Sequence, residues 1–355
     1  MKIKDINTED FVFDSAAGIR KSRQEREYMR ENKHLALQFP IPELRYYFHA
    51  TFPGRWTLIH AQSHSFKTEF INFWSKTAAV DLGERMKEGH RGVIIKISTE
   101  DAIEGLVESE IASFGGGKLD DIVVGDIKDP EQFIQAETVV GGLPIVHIGE
   151  SLGMSDSNAA MLSLSNISKL VDYVRKDHFG EEMPIAGIFC DYLQALPFDA
   201  DVVKNKHFTD SRTLQINRDV DTFRRMVKYF ACPGIMTAQS SPDRELSAFS
   251  DPVKMPGFWD VHWSKYPPQR ADFMYSLWLP KLHYKLGEWV DGERGTKEKP
   301  SRWNFKVTND YLWIKVHKHK KFTNVGASFP LKVDEFGNVF LNEEEHKRIK
   351  NMIGL

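Results

Sequence analysis

Lys67 and Thr68 stand side by side at the end of Ala61-Gln62-Ser63-His64-Ser65-Phe66-Lys67-Thr68, between an apolar run of strand length, Arg55–Ala61, and a helical pattern, Thr68–Met86. A loop that cups phosphates needs backbone N–H groups at a helix N-terminus, a lysine that reaches the outer phosphates and a hydroxyl that holds Mg2+. The lysine and the hydroxyl occupy those places. Glycine, which lets such a loop turn sharply and approach phosphate closely, is replaced by Ala61 and Phe66. An ordinary strand-to-helix loop would contain the same residue types, so the loop alone does not decide. A second apolar run, Pro184–Cys190, ends on Asp191. A carboxylate at the C-terminal edge of a parallel sheet reaches the metal beside a phosphate loop. Thr68 and Asp191 are therefore the candidate Mg2+ ligands, and residues 61–68 with Asp191 the candidate ATP contacts.

Such side chains work only if strands deliver them to one edge. Apolar runs of strand length recur at Gly92–Ile97, Pro144–Ile148, Ile185–Cys190, Gly234–Ala238 and Phe273–Leu279. Helical patterns fall between most of them, at Ala102–Ser113, Met161–Arg175 and Asp219–Phe230. Short buried strands alternating with helices predict an α/β fold with a mainly parallel sheet covered on both faces. Past Pro300, the runs Trp303–Val307, Tyr311–Val316 and Ser328–Val333 predict a small antiparallel extension. Gly115-Gly116-Gly117 follows a helix rather than a strand and reads as a helix stop. Three regions are expected: a charged arm over 1–39, one α/β domain over 40–340 and a closing helix over 341–355. The arm interleaves Arg20, Lys21, Arg23, Arg26, Arg30 and Lys33 with Glu25, Glu27 and Glu31. It reads either as a solvated helix or as an arm that packs on a neighbouring subunit.

The 355 residues are 41% hydrophobic and 27% charged, ordinary for a globular protein with a sizeable core. A net charge of −3 neither requires nor excludes a nucleic-acid partner, because a local basic stripe is enough. Cys190 and Cys232 both sit in apolar surroundings and read as buried thiols. No apolar stretch approaches the ~20 residues that span a bilayer, and Met1–Asp5 opens onto polar sequence. A cytoplasmic protein with no membrane partner is expected.

Asp191-Tyr192-Leu193-Gln194 after an apolar strand resembles the Walker B region of DnaB-type replicative helicases. Other segments follow in that family's order. Ile97-Ser98-Thr99-Glu100 resembles its Ser-Leu-Glu segment. Pro233-Gly234-Ile235-Met236-Thr237-Ala238-Gln239 resembles its γ-phosphate-sensing strand, and Arg270-Ala271-Asp272-Phe273 its Ala-Asp before the next strand. Val316-His317-Lys318-His319-Lys320 resembles its Lys-x-Arg, with Lys320 in the arginine's place. The similarity runs over roughly residues 40–335 and lies in the order of the motifs. The resemblance implies a RecA-like P-loop ATPase that uses ATP and Mg2+. Its catalytic residues would be Glu100 as base, Lys67, Gln239 as γ-phosphate sensor, and Lys318 and Lys320 acting on the nucleotide of the adjacent subunit.

The same resemblance implies a homo-oligomer, a hexameric ring on single-stranded DNA, with replication proteins such as a primase or loader as further partners. The candidate DNA contacts are Lys204, Lys206 and Arg212 in one segment and Arg244 and Lys254 in another. Phe66 motivates an alternative, a RecA-like scaffold or loader that binds nucleotide and DNA but hydrolyses poorly. A recombinase or clock-type ATPase on the same fold is a third reading, against which Asp191-Tyr192-Leu193-Gln194 argues.

Overall fold

The computed structural model describes residues 14–31, 33–159, 161–198, 208–241, 256–295, 300–320, 325–344 and 346–347. In chain order these form α1 Ser15–Glu31, β1 Trp56–Ala61, α2 Lys67–Lys87, β2 Val93–Ser98, α3 Ile103–Ile111, α4 Leu119–Val123, α5 Pro130–Gly141, β3 Ile145–Ile148, α6 Asp156–Ala159, α7 Leu164–Tyr173, β4 Ile185–Asp191, α8 Phe208–Tyr229, β5 Gly234–Gln239, α9 Tyr266–Arg270, β6 Phe273–Trp278, β7 Trp289–Gly295, β8 Pro300–Lys306, β9 Tyr311–His319, β10 Ser328–Val333 and β11 Val339–Phe340. The strands make one sheet in the order β3-β2-β4-β5-β1-β6-β9-β10-β7-β8, with β11 on β10. The six strands from β3 to β6 are parallel to one another, and β9 turns the sheet antiparallel.

β1, β2 and β4 are buried along their whole length, which is why they read as unbroken apolar runs. Alternate residues feed two cores. On one face Ile59, Ala61, Ile94, Phe189, Ile235 and Tyr275 meet α2. On the other Trp56, Leu58, Ile95, Ile188 and Met236 meet α7 and α8. α2 is enclosed on several sides, with Phe70, Ile71, Phe73, Trp74, Ala78, Ala79 and Leu82 all buried. An aromatic group anchors it to the chain ahead of β1: Phe39 stacks on Phe48 with ring centroids 4.5 Å apart and meets Trp74 edge-on at 5.3 Å. Trp74 Nε1 donates to the Gln38 carbonyl at 2.7 Å. Residues 36–44 thus belong to the same core as the sheet. A Cβ on Gly187 would lie 2.9 Å from Leu37, so β4 needs glycine where that segment crosses it.

Several boundaries differ from the sequence expectation. The antiparallel extension holds two further strands, β7 and β11, and β8 begins at Pro300. α8 begins at Phe208 rather than Asp219, and α5, capped by Asp129 Oδ1 accepting from Gln132 N, was not foreseen. α3 runs on through a wide turn over Ala112–Gly116 before stopping at Gly117. Of the expected closing helix, residues 345 and 348–355 lie outside the described residues. Among the described residues no helix is long and apolar enough to cross a membrane.

Candidate nucleotide site

Four neighbouring strands, β2, β4, β5 and β1, end at one edge of the sheet, and each contributes to one cleft there. β4 ends on Asp191, which pairs with Ser98 of β2 and accepts a hydrogen bond from Thr99 N at its carbonyl, 3.0 Å away. Its carboxylate is almost fully buried. Thr68 Oγ1 donates to Oδ2 at 2.6 Å, and Thr237 Oγ1 donates to Oδ1. Burial pushes the Asp191 carboxyl above its ordinary range, while the Thr237 and Thr68 hydroxyls and the Lys67 ammonium pull it back only in part. A hydroxyl and a carboxylate are hard oxygen donors that suit Mg2+. The sequence places Thr237 in the segment that ends on Gln239 without assigning it a role. It stands two residues before Gln239 on β5, hence on the same face, and a fully buried threonine in an apolar strand was the available signal.

Between β1 and α2 the chain turns with His64 at φ 56° and Phe66 at φ 66°. Ser65 N donates to the Gln62 carbonyl at 3.3 Å, and Lys67 Nζ reaches the same carbonyl at 3.1 Å. Gln62 Oε1 meets His283 Nε2, and Gln239 Nε2 donates to Ser63 Oγ. Phe66 holds a left-handed backbone that glycine adopts more readily, at a strain of about 1–2 kcal/mol. Its ring packs against the core beneath α2. Phe66 also lines the cleft, where the sequence places a side chain instead of glycine. Ala61 needs no such freedom, because it ends β1 in register with Gln239.

The loop, with Glu69, Glu100, Asp101, Tyr192 and Gln239, lines a polar cleft of about 420 Å3. Glu100 follows β2 and faces this cleft. Burial, then Asp191 and Asp101, push its carboxyl up, against Lys67 and His64. A carboxylate whose proton affinity rises toward neutrality is a better proton acceptor. Glu69, directly after Thr68, is pushed up by burial and by Asp191 in the same way. Lys67 Nζ lies 5.8 Å from the centre of the Tyr192 ring.

Solved structures share this arrangement of strands and helices. The ATPase domain of G40P superposes with a TM-score of 0.65 at 17% identity, covering 93% of this chain and 100% of that one. A DnaB-like replicative helicase, described with its interactions with primase, gives 0.63 at 17% identity, covering 86% of this chain. The fold is that of DnaB-type, RecA-like ATPase domains. The chain spans about 63% of the second neighbour's length. Neither protein-family models nor curated proteins give a match.

Within the DnaB-type fold, Glu100, Lys67, Thr68, Asp191 and Gln239 come together at one edge. Lys318 and Lys320 do not join them. His319 pairs with Phe273, and Lys320 N bonds the Asp272 carbonyl, so both lysines sit where β1 and β6 begin. The length of β1, roughly 17–20 Å, separates that edge from the loop. In this chain neither lysine reaches the loop between β1 and α2. Lys320 Nζ is held at 2.8 Å by Asp272, which also accepts from Trp56 N and faces Arg55. Lys318 Nζ donates to the Pro268 and Gln269 carbonyls at 2.7 and 2.8 Å, and burial with the neighbouring Lys320 lowers it to about 8.

Of the candidate DNA contacts, Lys204, Lys206, Arg244 and Lys254 lie outside the described residues. Arg212 is buried on α8 and is not presented to a polymer. Its Nη1 donates to the Leu196 carbonyl at 3.2 Å, its Nη2 to the Gln194 carbonyl, and the guanidinium lies 4.9 Å from the Phe198 ring centre. Its expected role is corrected to one inside the fold. The other member of this group is Gln194, whose place in the Walker B-like segment the sequence reading noted without assigning it a task.

Proposed function

We propose that the cleft binds ATP with Mg2+ and hydrolyses it to drive movement along single-stranded DNA. The observation that carries this reading is the convergence of Thr68 and Thr237 on a buried Asp191, with Lys67 and Glu100 lining the same cleft. Lys67 would leave the Gln62 carbonyl for the β- and γ-phosphates, where its charge binds substrate. Thr68 and Asp191 would hold the metal, which when bound neutralises phosphate charge. Glu100 would orient the attacking water and accept its proton. Gln239 would exchange Ser63 for the γ-phosphate, and so report whether that phosphate is present.

The edge on which Lys318 and Lys320 lie supports their action in trans, and with it a ring, read here as a hexamer. Lys lacks the bidentate fork of Arg, so these residues would act as point charges. Lys204, Lys206, Arg244 and Lys254 remain the proposed DNA contacts, and a primase or loader the proposed further partner. Phe66 packs partly against the core and also lines the cleft, so a scaffold that binds nucleotide but hydrolyses poorly stands as the second reading.

The test is steady-state ATP hydrolysis with and without single-stranded DNA, with native mass measured in the same nucleotide buffer. DNA-stimulated turnover by a ring is expected. ATP binding without turnover would favour the scaffold, and a strict monomer with full activity would remove the trans role of Lys318 and Lys320.

A further inference from the structure

The ladder between β4 and β5 stops at Cys190 pairing with Met236. Beyond it the β5 side of the ladder meets the chain at 260–262, where Val261 bridges Ser240 and His262 N donates to the Gln239 carbonyl at 2.9 Å. The Gln194 side chain ties these two segments together. Its Oε1 accepts from Gln239 N at 2.9 Å, and its Nε2 donates to the Gln239 carbonyl at 3.3 Å and the His262 carbonyl at 3.2 Å. A primary amide presents one acceptor and two donors, and all three serve here. Gln194 is held in turn by Arg212, whose planar fork spans the Gln194 and Leu196 carbonyls.

These contacts close two stems. Gln194 and Leu196 on one side and Arg212 on the other bracket residues 199–207, which carry Lys204 and Lys206. Gln239 and His262, joined by His262 N donating to the Gln239 carbonyl at 2.9 Å, bracket residues 242–255, which carry Arg244 and Lys254. The same Gln239 reaches Ser63 in the loop between β1 and α2. One hydrogen-bonded group therefore touches the nucleotide cleft and the roots of both basic segments.

We propose that Gln194 and Arg212 are positioning residues that set Gln239 against the phosphate loop and couple it to the stems of 199–207 and 242–255. Neither touches substrate; both act through Gln239. The inference rests on the reading of the cleft as an ATP-hydrolysing site.

Two measurements on the full chain test it, with Gln194→Ala, Gln194→Glu and Arg212→Lys. The first is turnover of MgATP with and without oligo-dT. Gln194→Ala is expected to lower kcat by about 100-fold, as misplacing one reacting group does, with an unchanged KM. The Glu variant keeps the acceptor but faces two carbonyls with a carboxylate, and is expected to behave like Ala. Arg212→Lys is expected to lower the ratio of DNA-stimulated to basal turnover. Wild-type kcat in Gln194→Ala or Gln194→Glu, a change confined to KM, or an unaltered stimulation ratio in Arg212→Lys would overturn the coupling.

The second measurement is amide hydrogen exchange without nucleotide. Gln194→Ala is expected to speed exchange at Gln239 and across residues 62–66 while the pairing of β2 with β3 stays protected. Unchanged exchange over 62–66 would overturn the proposal even in a protein that hydrolyses nothing. Absence of turnover in the wild type would instead sink the reading of the cleft, and exchange alone would then decide the coupling.

Discussion

Thr237→Val removes a buried hydrogen bond to Asp191 beside the cleft. The side chain is fully buried on β5, and valine keeps its volume, its β-branch and its strand preference. What is lost is the hydroxyl that donates to Asp191 Oδ1. A hydrogen bond to a charged group contributes about 1.5–3 kcal/mol, and burying a methyl in its place returns about 0.8 kcal/mol. The expected net loss at pH 7 is about 1–2 kcal/mol, or a fall in Tm of roughly 1–3 °C for a chain of 355 residues. The deficit depends on pH in a definite direction. Burial already holds the Asp191 carboxyl above its ordinary value, so ionising it opposes folding. Its contribution to stability falls as pH rises from the ordinary carboxylate value of about 3.9 through the higher folded one. Removing a donor raises the folded value further. The variant's deficit is therefore full at neutral pH and shrinks as Asp191 becomes protonated on acidification. Urea unfolding of both proteins at pH 7 and again near pH 4 reads the difference directly. A deficit of equal size at both pH values, or none at pH 7, would refute the reasoning.

Other expectations follow from the same contacts. Lys96 and Glu110 form a buried pair at 2.6 Å, with His147 Nε2 at 3.4 Å from the other carboxylate oxygen. Lys96→Met strands the carboxylate and should remove about 3–5 kcal/mol, most of it restored by Glu110→Leu in the double variant; thermal unfolding of the three proteins checks this. Burial opposes ionisation of Glu110, but Lys96 and His147 prevail and hold it at about 2, so the pair's stabilisation is present above about 4.3 and is lost as pH falls toward 2. Phe66→Ala and Phe66→Gly both lose the ring, yet only glycine relieves the left-handed backbone. Glycine should be the more stable of the two by roughly 0.5–1 kcal/mol, the relief of about 1–2 less the greater freedom of the unfolded chain, and an alanine variant of equal or higher Tm would count against that backbone.

The parallel core of the fold was legible because its strands are buried on both faces and so appear as continuous apolar runs, with the loop and Asp191 at their ends. β7 and α5 were not. β7, Trp-Val-Asp-Gly-Glu-Arg-Gly, gains its order from pairing with β8, and a sequence read locally does not reveal a partner. α5 carries Asp129 and Pro130 in the order that opens a helix, a signal that was present but not used. In the site, the order of motifs brought Glu100, Asp191 and Gln239 to one edge. It did not reveal Thr237, whose task depends on the neighbouring strand. Arg212 failed for a related reason: a cation in a segment next to a DNA-contacting motif looks the same whether it faces solvent or two buried carbonyls. Phe66 both packs against the core and lines the cleft, and that division of one ring between two surroundings is set by neighbours distant in the chain.

Residues 61–68 and Asp191 are proposed to form a Mg2+-dependent nucleotide site. The most direct test is to titrate ATP into the wild type, Lys67→Ala and Asp191→Asn, each with and without Mg2+, and to read the heat of binding. The expected results are tight binding to the wild type only with Mg2+, a loss of affinity of roughly 100-fold in Lys67→Ala, as removing a charged hydrogen-bonding partner produces, and weak binding indifferent to Mg2+ in Asp191→Asn. Binding to the wild type that neither Lys67→Ala nor removal of Mg2+ alters would contradict this reading.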